Sequence, residues 1–289
     1  MSIYLQLLLA SFFWGTNVIV MKLLLSEVSF LLLATIRVLL SCLFIALYMK
    51  IKHIDFHCEN KYKIIIISIL AIYLNFYFTF LGMSEVKGID NAFMNALAPV
   101  FTFIFSLVLL KKKGNLYEYI AICITVFAFL LSIHFQIFSI RIGFYYLFIG
   151  MILYMLGNVL IQKWQLSHTL SLSFYELLYG FMFLFLHCIL VDQFDMKQLL
   201  HIPLFYWLLF ILISGIGFAY IQVTYIKAIE KIGAFKTSFF LGLNPIVTYI
   251  ESLFFLKESF DWLHFIGFIL LGIAIYLMKG KNQKNIQNT

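Results

Sequence analysis

Ten apolar stretches, each close to 20 residues long, follow one another along the chain with short breaks between them. A helix needs about 20 apolar residues to cross the hydrocarbon core of a bilayer, so each stretch predicts one membrane span. The predicted spans lie near residues 3–22, 28–49, 63–82, 89–110, 116–134, 143–162, 170–191, 204–226, 233–256 and 260–279. With 64% hydrophobic and 11% charged residues, the composition excludes a water-soluble globular protein. The sequence therefore predicts an all-α polytopic membrane protein.

The basic residues are distributed unevenly between the two sets of loops. If the N-terminus is cytoplasmic, fourteen of the 20 basic residues lie in the cytoplasmic loops and tail, five lie on the opposite side, and Arg37 falls within the second span. Cytoplasmic loops carry the excess of Lys and Arg in membrane proteins. We therefore expect both termini in the cytoplasm. This topology also accounts for the net charge of +7, so nucleic acid is not an expected partner.

The two halves of the chain share a sequence pattern. The segment Asn95-Ala-Leu-Ala-Pro99-Val-Phe-Thr102 aligns with Leu241-Gly-Leu-Asn-Pro245-Ile-Val-Thr248, and Asn17-Val aligns with Asn158-Val near the start of each half. Two of the three prolines in the chain are the aligned pair. Spans 1 to 5 therefore correspond to spans 6 to 10.

This repeat predicts the organisation of the whole chain. Residues 1–136 form a first five-helix repeat, residues 137–279 form a second, and residues 280–289 form a polar cytoplasmic tail. Because five is odd, the second repeat enters the membrane from the opposite side, so the ten transmembrane helices form two inverted five-helix repeats. Inverted repeats are typical of secondary transporters, which bind substrate near the midplane and alternate access between the two sides.

Several segments carry a family resemblance. They are Ala10-Ser-Phe-Phe-Trp14-Gly15-Thr16-Asn17, the prolines of spans 4 and 9, and the stretch from Pro245 to Leu256-Lys257-Glu258 with Gly267 and Gly272 after it. Together they resemble the EamA-type members of the drug/metabolite transporter superfamily. The run Lys111-Lys112-Lys113 departs from the pattern, which has an acidic residue there. The resemblance implies a ten-helix carrier of small metabolites in the bacterial inner membrane, often an exporter.

Three charged residues fall within predicted spans: Arg37, Glu176 and Glu251. A charge at the centre of a span costs about 2.5–3.5 kcal/mol on insertion scales, so each needs a partner, a water-filled cavity or a function. The low dielectric favours the neutral form of a buried carboxyl group, which makes Glu176 and Glu251 candidate proton carriers. Arg37 is either a contact for an anionic group or a structural partner of a glutamate.

Polar residues at helical spacing form matched faces on spans 4 and 9, which indicates two walls of one central cavity. The predicted substrate-binding residues are Trp14, Asn17, Tyr77, Asn91, Asn95, Asn158, Asn244 and Thr248. The alternative for the Asn and Thr residues is hydrogen bonding between helices. Pro99 and Pro245 each remove a backbone donor and bend the helix, so both are candidate hinges, although membrane helices also tolerate proline without a hinge role.

Aromatic residues within the spans suggest a second type of substrate contact. Besides Trp14 and Tyr77, the spans contain Tyr73, Tyr154, Tyr220, Tyr225 and Tyr249. Such rings can enclose an ammonium group by cation–π attraction. With 34 Phe and 17 Tyr, however, most rings must pack or face lipid, and Trp14 is the best candidate because the resemblance places it in the signature of span 1.

The leading hypothesis is a secondary-active or facilitative transporter that exports amino acids or related small polar or amphipathic metabolites. One alternative is import of a quaternary amine such as choline. An alternative of another class is a membrane-embedded, lipid-modifying enzyme, but the spans offer no triad or metal set, so enzyme activity is not expected. We expect no cofactor and no metal, since the loop residues His53, Asp55, His57 and Cys58 match no zinc pattern. The expected partners are the lipid bilayer and a small-molecule substrate, with protons as a candidate coupling ion. The protein is expected to be a monomer or a homodimer.

Overall fold

A computed structural model describes residues 1–57, 60–135, 141–191, 194–257 and 259–279. In these ranges the chain is helical, and they contain no β-strand. The predicted boundary between the halves at residue 136, Cys58, Glu258 of the resemblance and the tail 280–289 lie outside the described residues.

In the described part of the first half there are seven α-helices and one π-helical segment. They are α1 (Ile3–Leu24), α2 (Phe30–Ile51), α3 (Lys61–Ile67), the first π segment (Ser68–Leu74), α4 (Asn75–Glu85), α5 (Gly88–Ala96), α6 (Ala98–Leu109) and α7 (Leu116–Ser132).

The second half has a closely similar element order, with two short 3₁₀ helices added. Its elements are α8 (Ile142–Lys163), α9 (Thr169–Leu190), a 3₁₀ helix (Met196–His201), α10 (Leu204–Leu209), the second π segment (Phe210–Gly217), α11 (Phe218–Ile232), α12 (Ala234–Ser238), a 3₁₀ helix (Phe239–Leu243), α13 (Asn244–Phe255) and α14 (Trp262–Lys279).

Among the residues that the structure describes, eight helical stretches are long and apolar enough to cross a membrane. They are Ile3–Leu24, Phe30–Ile51, Lys61–Glu85, Asn91–Leu109, Ile142–Lys163, Thr169–Leu190, Leu204–Ile232 and Ala234–Phe255. The fifth and tenth predicted spans are present as the shorter apolar helices Leu116–Ser132 and Trp262–Leu277. A polytopic helical membrane protein is therefore confirmed, whereas ten crossings stay a prediction.

Contacts between the halves follow a symmetric pattern. Helix α1 packs against α11 and α13 of the second half, and its equivalent α8 packs against α4 and α6 of the first. Two further pairs join equivalent helices, α2 with α9 and α7 with α14. The first helix of each half is thus held by the third and fourth spans of the other half, and the interior lies between the halves.

Four of the long stretches change their helix type within the membrane. The third and eighth stretches contain the two π segments, which begin 142 residues apart, and the fourth and ninth are interrupted just before Pro99 and Pro245. Each proline lies in the first turn of its new helix, where its missing N–H breaks no hydrogen bond. π segments are rare and frequently occur at functional sites.

The carbonyls of the second π segment are bonded by side chains of neighbouring helices. Asn17 Nδ2 donates to Ile213 O over 3.3 Å and to Ser214 Oγ over 3.2 Å. Ser41 Oγ, on α2, bonds Gly215 O over 2.9 Å. Backbone acceptors freed from the α-helical pattern need other donors in a membrane. These contacts explain how the irregular backbone is stable at this depth.

Glycine permits the closest helix contact at the centre of the fold. A methyl group on Gly15 would lie 2.6 Å from Val247 Cβ and 3.0 Å from Asn244 O. Thr248 Oγ1 donates to Gly15 O over 3.2 Å at the same crossing. Small residues of this kind allow helix backbones to approach in membranes, so Gly15 brings α1 directly against α13.

Candidate substrate site

Four consecutive residues of α1, Trp14-Gly15-Thr16-Asn17, contact α8, α11, α13 and the second π segment. Gly15 packs against α13, and Asn17 bonds the second π segment, as described above. Thr16 Oγ1 donates to Glu251 Oε1 of α13 over 2.7 Å. Trp14 packs against rings from α8 and α11. One turn of α1 therefore joins the two halves and also contributes a ring to the interior.

The ring of Trp14 belongs to a group of four aromatic side chains, here called the central aromatic cluster: Trp14, Tyr154, Phe218 and Tyr225. The Trp14 ring centroid lies 5.6 Å from that of Tyr154, 6.3 Å from Tyr225 and 6.4 Å from Phe218. Tyr154 and Tyr225 are 5.9 Å apart. These distances are within the range of favourable ring contacts. The cluster combines one ring of the first half with three of the second.

Glu176 of α9 and Gln222 of α11 form a buried hydrogen bond beside this cluster. Gln222 Nε2 donates to Glu176 Oε2 over 2.9 Å, and the two residues are 0% and 2% exposed. The second oxygen of each side chain, Oε1 in both, has no hydrogen-bond partner. A buried acceptor without a donor costs free energy. The pair therefore offers two acceptors to a ligand that carries donors.

Arg37 of α2 is buried against aromatic rings. Its guanidinium carbon lies 4.1 Å from the ring centroid of Phe218, 4.8 Å from Phe76 and 5.7 Å from Phe80. Among the described residues no carboxylate forms a salt bridge with Arg37, and its Nε has no hydrogen-bond partner. Stacking on rings offsets part of the lost hydration of a guanidinium group. The rings do not supply an anionic partner for the N–H donors of Arg37.

Arg37 and Glu176 contact residues one helical turn apart on α11. Phe218 lies against Arg37 and Gln222 binds Glu176, and these two residues are separated by about 6 Å along the helix. Tyr154 lies close enough to both groups, and to Asn158, to interact with them. Asn158 Nδ2 and the Tyr225 hydroxyl have no hydrogen-bond partner. The centre thus contains a cation, an acid and several polar atoms without partners, all buried.

Four of the predicted site residues meet at this centre: Trp14, Asn158, Arg37 and Glu176. Asn17 and Thr248 are instead bonded to the backbone of neighbouring helices. Tyr77 lies against His187, with ring centroids 4.9 Å apart, and this contact joins α4 to the far end of α9. Asn17, Thr248 and Tyr77 therefore form hydrogen bonds or ring contacts between helices, which was the alternative interpretation of these residues.

The remaining predicted residues lie along the interrupted fourth and ninth stretches. Asn91 is buried and Asn95 is half-buried. Asn244 is fully buried, and neither atom of its side-chain amide has a hydrogen-bond partner. Glu251 is bonded through one oxygen to Thr16, while its Oε2 has no partner. Asn244 and Glu251 thus place unpaired polar atoms at the contact between α13 and α1, apart from the central cluster.

Gln222, Phe218 and Phe76 were not predicted as site residues. Phenylalanine is too frequent in this chain for any one ring to stand out. Gln222 does carry a signal, because it is a polar residue among apolar neighbours in the segment Phe218-Ala-Tyr-Ile-Gln222. The spacing to Tyr225 along α11 could have placed both side chains on one face.

A large cavity opens at the end of the fold where α1 begins. It has a volume of about 1180 Å³ and is lined by the start of α1, the end of α2, the start of α9 and one face of α11. Its lining includes Ala219 and Val223, which are the chain neighbours of Phe218 and Gln222. Trp14, Tyr154 and Glu176 do not line it. The cavity therefore ends close to the central cluster but does not include it.

The comparisons with known proteins agree with this architecture. The sequence model of the EamA-like transporter family matches residues 1–134 and again residues 141–279. A solved structure titled "Crystal structure of protein" shares the fold with a TM-score of 0.72 over 98% of each chain, at 11% identity. No curated protein matches the chain in sequence. Because the two family matches cover the two halves and nearly the whole chain, the chain belongs to the EamA-like transporter family, within the drug/metabolite transporter superfamily of membrane proteins.

Proposed function

We propose that this transporter exports amino acids or closely related metabolites by alternating access across ten spans, with both termini in the cytoplasm of a bacterial inner membrane. The observation that carries the proposal is a buried guanidinium group, Arg37, and a buried carboxyl group, Glu176, which contact residues one turn apart on α11 and, among the described residues, form no salt bridge. A zwitterion supplies the missing partner of each group. Its carboxylate accepts from the guanidinium of Arg37, and its ammonium donates to the free oxygen of Glu176.

The geometry of the donors supports a small carboxylate. A guanidinium group presents its donors in a planar fork that matches a carboxylate, and at Arg37 three rings lie within 5.7 Å of the guanidinium carbon. The hydroxyl of Tyr225 and the amide of Asn158 offer further polar contacts. Charged hydrogen bonds are worth about 1.5–3 kcal/mol each, which offsets part of the cost of burying the substrate's charges.

The large cavity supports a route from the cytoplasm. If the N-terminus is cytoplasmic, the cavity faces the compartment from which an exporter loads its substrate. A movement of the helices beside Gln222 would connect the cavity to the central aromatic cluster. The interrupted stretches before Pro99 and Pro245 are the proposed hinges of this movement. Glu176 and Glu251 are the proposed proton carriers, each with one unpaired oxygen.

A proteoliposome exchange assay tests this proposal. Vesicles loaded with single amino acids, amines or nucleosides are assayed for uptake of the same labelled compound. We expect exchange with at least one amino acid, and Arg37→Gln should lower its apparent affinity about 10- to 100-fold, the equivalent of one charged hydrogen bond. Arg141→Gln is the matched control, because this second arginine is exposed at the start of α8. Exchange of no amino acid, or equal effects of the two variants, contradicts the proposal.

A quaternary amine such as choline is the second candidate, favoured by the three close rings of Trp14, Tyr154 and Tyr225. Rings of this type bind quaternary ammonium groups. Competition by choline that Trp14→Ala abolishes and Arg37→Gln preserves would establish the amine. The amino-acid proposal expects the opposite dependence on Arg37, since only a zwitterion has a carboxylate for this residue to bind.

A further inference from the structure

Three side chains of types that can bind metals lie close together where α7 and α14, the last helices of the two halves, pack against each other. His134 follows the end of α7, and Asp261 and His264 lie at the start of α14. Their ligand atoms all lie within 4.8 Å of one another. His134 Nε2 is 2.6 Å from Asp261 Oδ2, and His264 Nδ1 is 3.3 Å from the same oxygen. Residues 127 positions apart therefore converge on one carboxylate oxygen.

His264 is buried without satisfying its ring nitrogens. The residue is 9% exposed, and neither Nδ1 nor Nε2 makes a hydrogen bond. Its ring is held between Phe93 and Tyr249, at centroid distances of 4.9 Å and 5.8 Å. Most buried polar side chains in native proteins have a partner. An imidazole nitrogen that lies 3.3 Å from a carboxylate oxygen without forming a hydrogen bond has the position of a metal ligand.

Asp261 is held so that one oxygen remains available. Its Oδ1 accepts from the backbone N–H of Leu263 over 2.7 Å, which caps the start of α14. Its backbone N–H donates to the Tyr249 hydroxyl over 2.6 Å, and that hydroxyl donates to the Asp261 carbonyl over 3.1 Å. Partners of this kind orient metal-binding carboxylates.

We propose that His134 Nε2, Asp261 Oδ2 and His264 Nδ1 bind a divalent ion of the Zn²⁺ class and thereby fasten the end of α7 to the start of α14. A tetrahedral ion with bonds of about 2.0–2.1 Å separates its ligand atoms by about 3.3 Å, so the side chains need only small rotations. Imidazole and carboxylate together suit Zn²⁺, Co²⁺ and Ni²⁺. The fourth position is left for water.

One neighbouring charge opposes the ion. Lys87, before α5, is close enough to His264 to act on it electrostatically. Its charge weakens the attraction for any cation, so the affinity depends on the two nitrogen ligands rather than on charge alone. Hard cations such as Mg²⁺ and Ca²⁺ prefer oxygen ligands and are therefore not expected to bind here.

The test uses the purified full-length protein, stripped with chelator and then dialysed against ZnCl₂. We expect one bound Zn²⁺ per chain by elemental analysis, a raised unfolding temperature with ZnCl₂, and no rise with MgCl₂. His134→Gln, His264→Gln and Asp261→Asn should each weaken binding by about ten-fold or more. Asn can still cap the helix, so Asp261→Asn tests the ligand without removing the cap.

His57→Gln is the matched control. His57 lies beside His168 at the cytoplasmic end, with ring centroids 5.3 Å apart, and this pair is the competing place for a metal. Retention of the bound Zn²⁺ by His57→Gln supports the proposal. Wild-type protein that binds no more Zn²⁺ than the variant His134→Gln/His264→Gln, or loss of the ion from His57→Gln alone, overturns it.

Discussion

Gln222 donates a hydrogen bond of 2.9 Å to Glu176, and this buried bond joins α11 to α9. Both residues belong to the second half of the chain, whereas Arg37 and Trp14 come from the first. The centre is thus assembled from both repeats. A rocking motion of one half against the other would change the distance between the acid and the guanidinium group, which gives the proposed transport cycle a structural basis.

Glu176→Gln should lower the exchange rate about 10- to 100-fold, because the ammonium of the substrate loses a charged hydrogen bond worth about 1.5–3 kcal/mol. If Glu176 also carries a proton, the wild-type rate varies with pH and the variant rate is flat. The measurement is initial uptake into proteoliposomes at a series of pH values.

The matched control for this variant is Glu230→Gln. Glu230 is an exposed glutamate that accepts a hydrogen bond of 2.7 Å from Thr169, so the same chemical change is made outside the centre. We expect no more than a small effect on the rate. Equal losses in both variants would show that the charge at Glu176 has no special role.

Gly15→Ala should destabilise the protein, because the new methyl group would lie 2.6 Å from Val247 Cβ. Overpacking of this kind costs about 1–3 kcal/mol, so the unfolding temperature in detergent should fall. Val247→Ala in the same chain should restore part of the loss by removing the clash. Gly272→Ala serves as the control, since a methyl group there would meet no atom within 4 Å. Equal unfolding temperatures for Gly15→Ala and Gly272→Ala would refute the close contact of α1 and α13.

Thr16 and Glu251 should be energetically coupled across the two halves. Thr16→Val and Glu251→Gln, alone and together, form a double-mutant cycle for their 2.7 Å hydrogen bond. Polar pairs between membrane helices contribute about 0.6 kcal/mol on average and at most about 1.7 kcal/mol, and we expect a coupling in that range. The exposed pair Thr169 and Glu230, with the same 2.7 Å distance, should give less because water competes for it. Additive effects of Thr16→Val and Glu251→Gln would mean that this bond does not stabilise the fold.

The helices could be predicted closely from the sequence, because a run of apolar residues long enough for a membrane leaves few alternatives. The predicted stretch 170–191 is the helix Thr169–Leu190, and 143–162 is Ile142–Lys163. The two π segments could not be predicted. Their backbone pattern depends on donors from other helices, such as Asn17 and Ser41, and such contacts are not encoded in local hydropathy.

The charged residues of the centre could also be predicted, because a charge within a span is rare enough to be noticed. Arg37 and Glu176 were identified on this basis. The partner of Glu176 could not be identified, since one glutamine in an apolar helix does not reveal which neighbour it faces. The expectation that matched polar residues line one cavity stays a prediction, because packing between the halves decides which of these side chains find backbone partners.

Asn17 and Asn158 show this limit most directly, because they occupy equivalent positions in the repeat but have different partners. Asn17 donates to the second π segment. Asn158 lies close to Tyr154 at the centre, and its Nδ2 has no hydrogen-bond partner. Asn17→Ala should therefore lower the unfolding temperature, since it leaves the Ile213 carbonyl unbonded in an apolar environment. Asn158→Ala should change stability little but weaken the apparent affinity for substrate.

The two measurements are the unfolding temperature of the purified protein and the concentration dependence of exchange. Each variant is the control for the other, because the same atoms are removed at equivalent positions of the two halves. A fall in substrate affinity without loss of stability for Asn17→Ala would assign Asn17 to the substrate site. The reverse result for Asn158→Ala would assign that residue to packing and would remove one polar contact from the proposed site.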